Sequence, residues 1–87
     1  MYVIIVYDVS VERVNKVCHF LRQYLNWIQN SVFEGELTES ELIKVELGIK
    51  KIIDEMEDSI IIYQISNNKV LQKKHIGIKK AEPMQII

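Results

Sequence analysis

The hydrophobic pattern changes its period along the chain, which predicts strands that alternate with helices. Residues 2–7 form an unbroken run of β-branched and aromatic residues, as is typical of a central strand covered on at least one face. After Ser10, which can cap a helix, apolar residues recur at steps of three and four, so we expect a helix that stops near Leu25 or Asn26. The apolar face of this helix consists of Val14, Val17, Cys18, Leu21, Tyr24 and Leu25.

The rest of the chain repeats this alternation. Residues 27–37 are interpreted either as two short strands joined by a turn or as one longer strand. Residues 38–41, Thr-Glu-Ser-Glu, match a capping box that begins a second helix. Residues 59–65 predict another strand, and after a Ser-Asn-Asn turn a further strand lies within residues 70–78.

This order of elements predicts an α+β fold of the ferredoxin-like βαββαβ class. Such a fold has an antiparallel sheet with two helices on one face, and here an additional C-terminal strand is expected. Right-handed crossovers place the first strand in the middle of the sheet. We expect residues 1–78 to form the domain, and the apolar tail 79–87 to pack as a strand on a partner subunit. Because many functions occur on this fold, it does not decide the activity.

Composition favours one small domain without a membrane segment. The chain has 87 residues, of which 48% are hydrophobic, and its apolar runs are far shorter than the roughly 20 residues that a membrane helix needs. The start of the chain has no basic region before its apolar stretch, so we do not expect a signal peptide. A single cysteine, Cys18, cannot form an internal disulfide, which favours a cytoplasmic location.

Charge is distributed unevenly although the net charge is only −1. Residues 34–58 carry nine acids and three lysines, whereas residues 59–81 carry five lysines and no acid. This asymmetry indicates either a molecule with two differently charged faces or simply a solvated helix followed by a solvated hairpin. The acids at positions 54–58 are expected at the end of the second helix, where they would oppose the helix dipole.

Asp8 is the foremost candidate for chemistry, because it lies where the first strand gives way to a helix. A carboxylate oxygen there can bind Mg²⁺ together with waters and phosphate oxygens. One carboxylate makes a poor magnesium site, but a symmetric dimer supplies a second copy of the same residue. The alternative is that Asp8 merely shapes the turn before the helix.

Two cations, Arg13 and Lys16, lie one turn apart on the first helix and can contact phosphate. The alternative is a solvated helix face. A second basic group, which could extend a phosphate track, follows in the C-terminal part of the chain, where alternation along the strand is expected to divide its members between two faces. This group consists of Lys73, Lys74, His75, Lys79 and Lys80.

The histidines, the cysteine and the aromatic residues are expected to have structural more than catalytic roles. His19 and His75 are isolated and have no partner at metal-ligand spacing. Cys18 falls on the apolar helix face and is expected in the core. Aromatic residues, Trp27 among them, are mostly core by pattern, although Phe33 is also suited to stacking at an interface.

Three segments of the chain together form a recognisable pattern. They are residues 3–9, Val-Ile-Ile-Val-Tyr-Asp-Val, residues 13–17, Arg-Val-Asn-Lys-Val, and residues 29–37, Gln-Asn-Ser-Val-Phe-Glu-Gly-Glu-Leu. The first and last look like the two signature regions of the Cas-two family of CRISPR-associated endonucleases, and the middle one resembles that family's Arg-Arg-Asn-Lys-Val stretch. The resemblance spans nearly the whole chain, in order and at matching lengths.

The resemblance implies a ferredoxin-like homodimer with Mg²⁺ between the subunits, held by the aspartate that ends the first strand, here Asp8. It implies metal-dependent cleavage of RNA or double-stranded DNA during spacer acquisition. It also implies a second role, in which the dimer bridges two dimers of the CRISPR integrase and holds a DNA duplex without needing catalysis. Five further positions match residues that support the family's site or contact nucleic acid: Tyr7, Arg13, Lys16, Ser31 and Phe33.

Two positions depart from the family pattern. Val14 replaces the second arginine of the basic pair, and Trp27 stands where several members have an arginine. These losses favour an adaptor that binds DNA within a larger complex. Three hypotheses therefore stand: a Mg²⁺-dependent endonuclease, a non-catalytic DNA-holding adaptor, and a ferredoxin-like small-molecule or toxin-type module.

Overall fold

A computed structural model describes residues 1–79, in which two helices pack against one face of a five-stranded sheet. The prediction of an α+β, ferredoxin-like fold is confirmed. The elements in chain order are β1 Tyr2–Asp8, α1 Val11–Leu21, β2 Asn26–Gln29, β3 Val32–Glu36, α2 Glu39–Ile52, β4 Ser59–Ile65 and β5 Leu71–Gly77. Residues 80–87 lie outside the described part, so the predicted packing of the tail stays a prediction.

The strands lie side by side in the order β2-β3-β1-β4-β5, and every neighbouring pair is antiparallel. The first strand is therefore central, as right-handed crossovers require. Residues 27–37 contain two strands, which decides between the two interpretations of that segment. The strand within residues 70–78 extends the sheet beyond β4.

Alternation along the strands gives the sheet two different faces. On the helix side, Val3, Ile5 and Ile62 pack in one buried cluster with Leu21 of α1 and Ile49 of α2. Full burial of each such side chain contributes about 1.5–3 kcal/mol, so this cluster stabilises most of the fold. The other face, called here the open face, carries a half-exposed set of apolar residues: Tyr2, Ile4, Val6, Val32, Ile61, Tyr63, Ile65 and Leu71.

Helix α1 ends at Leu21, so the prediction that it continues to Leu25 or Asn26 is wrong. Bonds from Gln23 N–H to the Phe20 carbonyl and from Tyr24 N–H to the Leu21 carbonyl tighten the chain into a turn. Leu25 is nevertheless buried, because the turn directs its side chain into the core. Its apolar periodicity therefore reflected burial and not helix.

Helix α2 begins with the predicted capping box. The Glu41 N–H donates to Thr38 Oγ1 at 3.2 Å, and the Thr38 N–H donates to Glu41 Oε1 at 2.9 Å. These hydrogen bonds satisfy two backbone donors that a helix start leaves unpaired. The bond from the Thr38 backbone is the main cause that lowers the pKa of Glu41. Within residues 1–79, no helix has the length and apolar character needed to cross a membrane.

Candidate metal and nucleic-acid site

The candidate site lies at the end of the sheet where β1 stops. Asp8 is the last residue of β1, is exposed, and belongs to the open face because its cross-strand partner is Ser59. Ser59 Oγ lies 3.0 Å from His75 Nε2 on the neighbouring strand β5. A carboxylate, a hydroxyl and an imidazole from three strands thus lie on one face at one end of the sheet.

A buried carboxylate, Asp58, holds the two loops beside this end of the sheet together. Its side chain is 0% exposed. Asp58 Oδ1 accepts from the Ser10 N–H at 3.0 Å and Asp58 Oδ2 accepts from the Asp54 N–H at 2.9 Å. Arg13 donates from Nε to Asp58 Oδ2 at 2.7 Å and from Nη2 to Asp58 Oδ1 at 3.1 Å. The loop after β1 and the loop before β4 therefore share one anchor.

The charges of this pair stabilise each other strongly. The hydrogen bonds from Arg13 are the largest cause that lowers the pKa of Asp58, and they outweigh the opposing effect of burial. The hydrogen bonds to Asp58 and then to Glu57 raise the pKa of the Arg13 guanidinium above its ordinary value. Arg13 Nη2 also lies 2.7 Å from Glu57 Oε2. Asp58 is consequently ionised throughout the physiological range.

This ion pair gives Arg13 a structural role. Sequence reasoning predicts that Arg13 supports the site or contacts phosphate. In the structure its Nε and Nη2 groups donate to Asp58 and Glu57, and Nη1 lies 3.7 Å from Glu12. A phosphate would have to compete with these carboxylates, so the geometry favours the supporting role.

The acids at 54–58 do not belong to helix α2. The helix ends at Ile52, and its last turn carries Lys50 and Lys51, which favour the dipole. The expectation that these acids oppose the helix dipole is therefore wrong. Asp54 organises the following turn, since its Oδ1 accepts from the Met56 N–H at 2.9 Å.

Gly77 lets β5 approach the same anchor closely. It has a φ of 91°, a left-handed conformation that favours glycine, and an added Cβ would overlap the carbonyl oxygen of Asp58. The next residue, Ile78, donates its N–H to that carbonyl at 3.0 Å. The end of β5 is thereby fixed to the backbone of Asp58, while the side chain of Asp58 binds Arg13.

Tyr7, Ser31 and Phe33 lie together where β1 meets β3. The Tyr7 N–H donates to the Ser31 carbonyl at 3.0 Å. The ring centroids of Tyr7 and Phe33 are 6.0 Å apart, and Phe33 is 0% exposed. Phe33 is thus a core residue and cannot stack at an interface. These residues support the strand that ends in Asp8.

The hydroxyl of Tyr7 is held below the sheet on the helix side. It lies 2.9 Å from Cys18 Sγ and donates to the Asn30 carbonyl at 3.4 Å. Burial is the largest cause that raises the pKa of this phenol, followed by the contact with Cys18. The Tyr7 hydroxyl therefore stays protonated and acts as a structural donor. Cys18 is partly buried and packs against the core, as its place on the apolar helix face predicts.

The predicted cations are distributed over different surfaces. Lys16 is exposed on α1, and no carboxylate of residues 1–79 lies within ion-pair distance of it. Lys73 and Lys74 point to opposite faces of β5, as their alternation predicts. Lys73 lies over the Tyr63 ring on the open face, 6.0 Å from its centroid, whereas Lys74 pairs with Glu46 of α2 at 3.1 Å. The lysines of β5 therefore do not form one continuous track.

The described part of one chain does not supply a complete metal site. Among residues 1–79, no group of three or more His, Cys, Asp and Glu side chains is arranged to hold a metal ion. A cavity of about 380 Å³ does exist, but it lies at the opposite end of the sheet, beside Met1, Gln64 and Ser66. A metal ion at Asp8 would therefore need ligands in addition to the side chains of residues 1–79.

Sequence reasoning did not single out Asp58, Ser59 or His75 as neighbours of Asp8. The one signal available was the crowding of acids at 54–58, which local periodicity placed in a helix. The partner of Asp58 lies 45 residues away along the chain. Only the pairing of β1 with β4 brings these residues together.

Comparisons with known proteins point to one family. Residues 1–73 match the family model described as CRISPR associated protein Cas2. The CRISPR-associated endoribonuclease Cas2 of Methanosarcina acetivorans is 54% identical over 87 residues, and that of Pyrococcus furiosus is 53% identical over 87 residues; both alignments cover 100% of each chain. The crystal structure of Streptococcus pyogenes Cas2 at pH 6.5 gives a TM-score of 0.70 at 35% identity, covering 78% of this chain and 89% of that one.

Replacing Asp58 tests whether its ion pair holds the two loops together. We expect Asp58→Asn to lower the free energy of unfolding by about 3 kcal/mol, because Arg13 is left without its buried counter-charge. The matched control is Glu57→Gln, which removes an exposed partner of the same arginine and should cost less than about 1 kcal/mol. Urea denaturation at pH 7 measures both values. Equal effects of the two substitutions would contradict the assignment.

The pH dependence of stability gives a separate prediction. Because the pKa of Asp58 is lower in the folded than in the unfolded chain, its contribution is present above the unfolded value of about 4. The contribution is lost as the pH falls from there toward the folded value. Urea denaturation from pH 7 to pH 2.5 should show a steeper loss below pH 4 for the wild type than for Asp58→Asn. Parallel curves would show that Asp58 is not ionised and paired in the folded protein.

Proposed function

Because the chain belongs to the CRISPR associated protein Cas2 family, we propose that it is an endoribonuclease of the CRISPR system that works as a homodimer with Mg²⁺ bound by Asp8 of each subunit. The observation that carries this proposal is the position of Asp8, an exposed carboxylate at the edge of an apolar sheet face that no helix of residues 1–79 covers. The relatives named above are called endoribonucleases, which supports the reaction class. The resemblance found in the sequence is confirmed by these matches.

The open face supports the homodimer. Antiparallel sheets usually show a polar side to water, whereas here Ile4, Val6, Ile61 and Tyr63 lie next to one another across β1 and β4. Covering apolar surface of this kind lowers the free energy of the protein in water. A two-fold axis through this face brings the same residues together from both subunits and places two Asp8 carboxylates at the rim.

Each residue of the site then has a distinct task. Two Asp8 carboxylates offer hard oxygen ligands that suit Mg²⁺, which when bound polarises a phosphodiester and lowers the pKa of a bound water. Lys16 is exposed on α1 and is available to bind a phosphate of the strand. Tyr7 and Phe33 pack together on the helix side of β1, and the Ser31 carbonyl accepts from the Tyr7 N–H. Arg13 acts through Asp58 and keeps the following loop in place.

The alternative function is a non-catalytic adaptor that holds duplex DNA between dimers of the CRISPR integrase during spacer acquisition. An adaptor needs the homodimer and a basic surface but does not need Asp8. The name endoribonuclease carried by the relatives favours the nuclease. The single cysteine, which lies against Tyr7, favours a cytoplasmic location for either role.

Asp8→Asn should abolish the cleavage while leaving the fold intact. We expect the rate of cleavage of an RNA oligonucleotide in Mg²⁺ to fall at least about 100-fold, because the amide is a far weaker magnesium ligand. The matched control is Glu39→Gln, an exposed acid in the first turn of α2 and away from the open face, which should leave the rate unchanged. The measurement uses highly purified protein and a labelled RNA. Cleavage that survives in Asp8→Asn would refute the nuclease proposal and leave the adaptor.

Ile61→Glu should dissociate the homodimer. A carboxylate at this position lies in the middle of the open face. Burying it in a dimer interface without an opposite charge costs free energy. The matched control is Leu47→Glu on α2, where a large apolar side chain is exposed away from the sheet. Sedimentation velocity should find the wild type and Leu47→Glu as dimers and Ile61→Glu as a monomer. A monomeric wild type, or a dimeric Ile61→Glu, would contradict the proposed interface.

A further inference from the structure

Two opposite charges lie on the open face, one on each side of its apolar centre. Glu34 of β3 is the cross-strand partner of Ile4, and Lys73 of β5 is the cross-strand partner of Tyr63. Ile4 and Tyr63 are themselves paired between β1 and β4. The four side chains therefore form one row across the face, called here the charged row, with the acid at one end and the lysine at the other.

Neither charge of this row has an ion-pair partner in the described part of the chain. Within residues 1–79, no oppositely charged group lies within ion-pair distance of Glu34 or Lys73. Lys73 Nζ lies over the Tyr63 ring, and Glu34 is partly buried beside Ile4. Covering the face takes both charges out of water, which costs free energy unless each meets an opposite charge.

The apolar area of the open face is centred between β1 and β4. Four of its residues lie next to one another on these two strands: Ile4, Val6, Ile61 and Tyr63. Strand β2 lies outside this area, and all four of its residues are exposed. Among them Trp27 is 52% exposed, so its predicted place in the core is wrong, and its cross-strand partner Phe33 puts it on the helix side. A two-fold axis that covers the apolar area therefore lies between β1 and β4.

Such an axis, lying between two facing sheets, has two possible directions. An axis parallel to the strands stacks β1 on the partner's β4 and β3 on the partner's β5, and it keeps Asp8 of both subunits at one end. An axis perpendicular to the strands stacks each strand on its own copy and separates the two Asp8 residues. The second direction also gathers Glu34 and Glu36 of both subunits on one side and both copies of Lys73 on the other, and like charges brought together oppose association.

We propose that Glu34 of each subunit pairs with the partner's Lys73, and that these two ion pairs select the orientation in which both Asp8 carboxylates lie at the same end of the interface. The proposal rests on the homodimer proposed above. In this orientation the charged row lies over its own copy in reverse order, so the acid of each subunit faces the lysine of the other. Sheets that pack face to face are about 10 Å apart and rotated by about 30°. A glutamate and a lysine that extend from both sides can span this gap.

Charge reversal tests the pairs. Glu34→Lys brings two like-charged pairs into the dimer, and so does Lys73→Glu, so we expect each variant to raise the dissociation constant of the dimer at least about 10-fold in low salt. The matched controls are Lys44→Glu on α2 and Glu55→Lys in the turn after it, which are exposed and away from the sheet and should change the constant by less than about 2-fold. Sedimentation velocity over a concentration series measures all five proteins.

Mixing the two reversal variants shows whether the effect acts between subunits. In a dimer of one Glu34→Lys subunit with one Lys73→Glu subunit, every facing pair again has opposite charges. We expect the mixture to associate with nearly the affinity of the wild type, as measured by energy transfer between differently labelled subunits. This recovery would also show that both variants are folded. A mixture that associates no better than the separate variants, while circular dichroism shows both to be folded, would overturn the pairs.

Cross-linking tests the orientation. Asp8→Cys in a Cys18→Ser background should give a covalent dimer with a short bismaleimide, because both introduced thiols lie at one end of the interface. In the other orientation they are separated by about the length of a seven-residue strand, roughly 24 Å, and do not react together. A dimer of this variant that is not cross-linked would overturn the proposed orientation.

The outcomes separate this proposal from the homodimer on which it rests. A monomeric wild type would refute the homodimer and the ion pairs together. A dimeric wild type that is dissociated by Ile61→Glu but unchanged by both charge reversals would refute the ion pairs and leave the homodimer.

Discussion

The arrangement around Asp8 depends on one guanidinium–carboxylate pair, Arg13 with Asp58. A fully buried carboxylate is tolerated only when hydrogen bonds and an opposite charge replace the lost water, and Asp58 receives both. Its partners come from the loop after β1, from the first turns of α1 and from the loop before β4. The pair therefore fixes the direction in which the chain leaves β1, immediately after the carboxylate that the proposed reaction uses.

The sheet divides the remaining tasks between its two faces. The helix side holds the buried cluster and the supporting residues Tyr7 and Phe33. The open side holds Asp8, Ser59 and His75 at one end, and over the rest it holds mostly apolar side chains together with charged ones such as Glu36 and Lys73. Alternation in β1 makes this division possible, because consecutive residues Tyr7 and Asp8 must point to opposite faces. Tyr7 can therefore stabilise the end of β1 from one face while Asp8, the next residue, is available for metal binding on the other.

Periodicity and local motifs predicted the fold well because they depend on nearby residues. The βαββαβ order and the capping box at Thr38 follow from spacing within a few residues. The central position of the first strand then follows from the right-handedness of the crossover connections. The length of α1 was wrong because burial of Leu25 in a turn resembles helical periodicity. The exposure of Trp27 was missed because an edge strand leaves its outer positions uncovered, and residue type alone does not show which strand forms the edge.

The hydrogen bonds to Asp58 determine how much the two loops next to Asp8 must change when a polyanion binds. The backbone N–H groups of Ser10 and Asp54 sit in loops, yet both donate to a carboxylate that water does not reach. The conformational entropy of these two loops is therefore lost when the chain folds, and no further ordering of them is needed on encounter. The loops next to Asp8 are therefore pre-organised, and a ligand binds a surface that is already ordered.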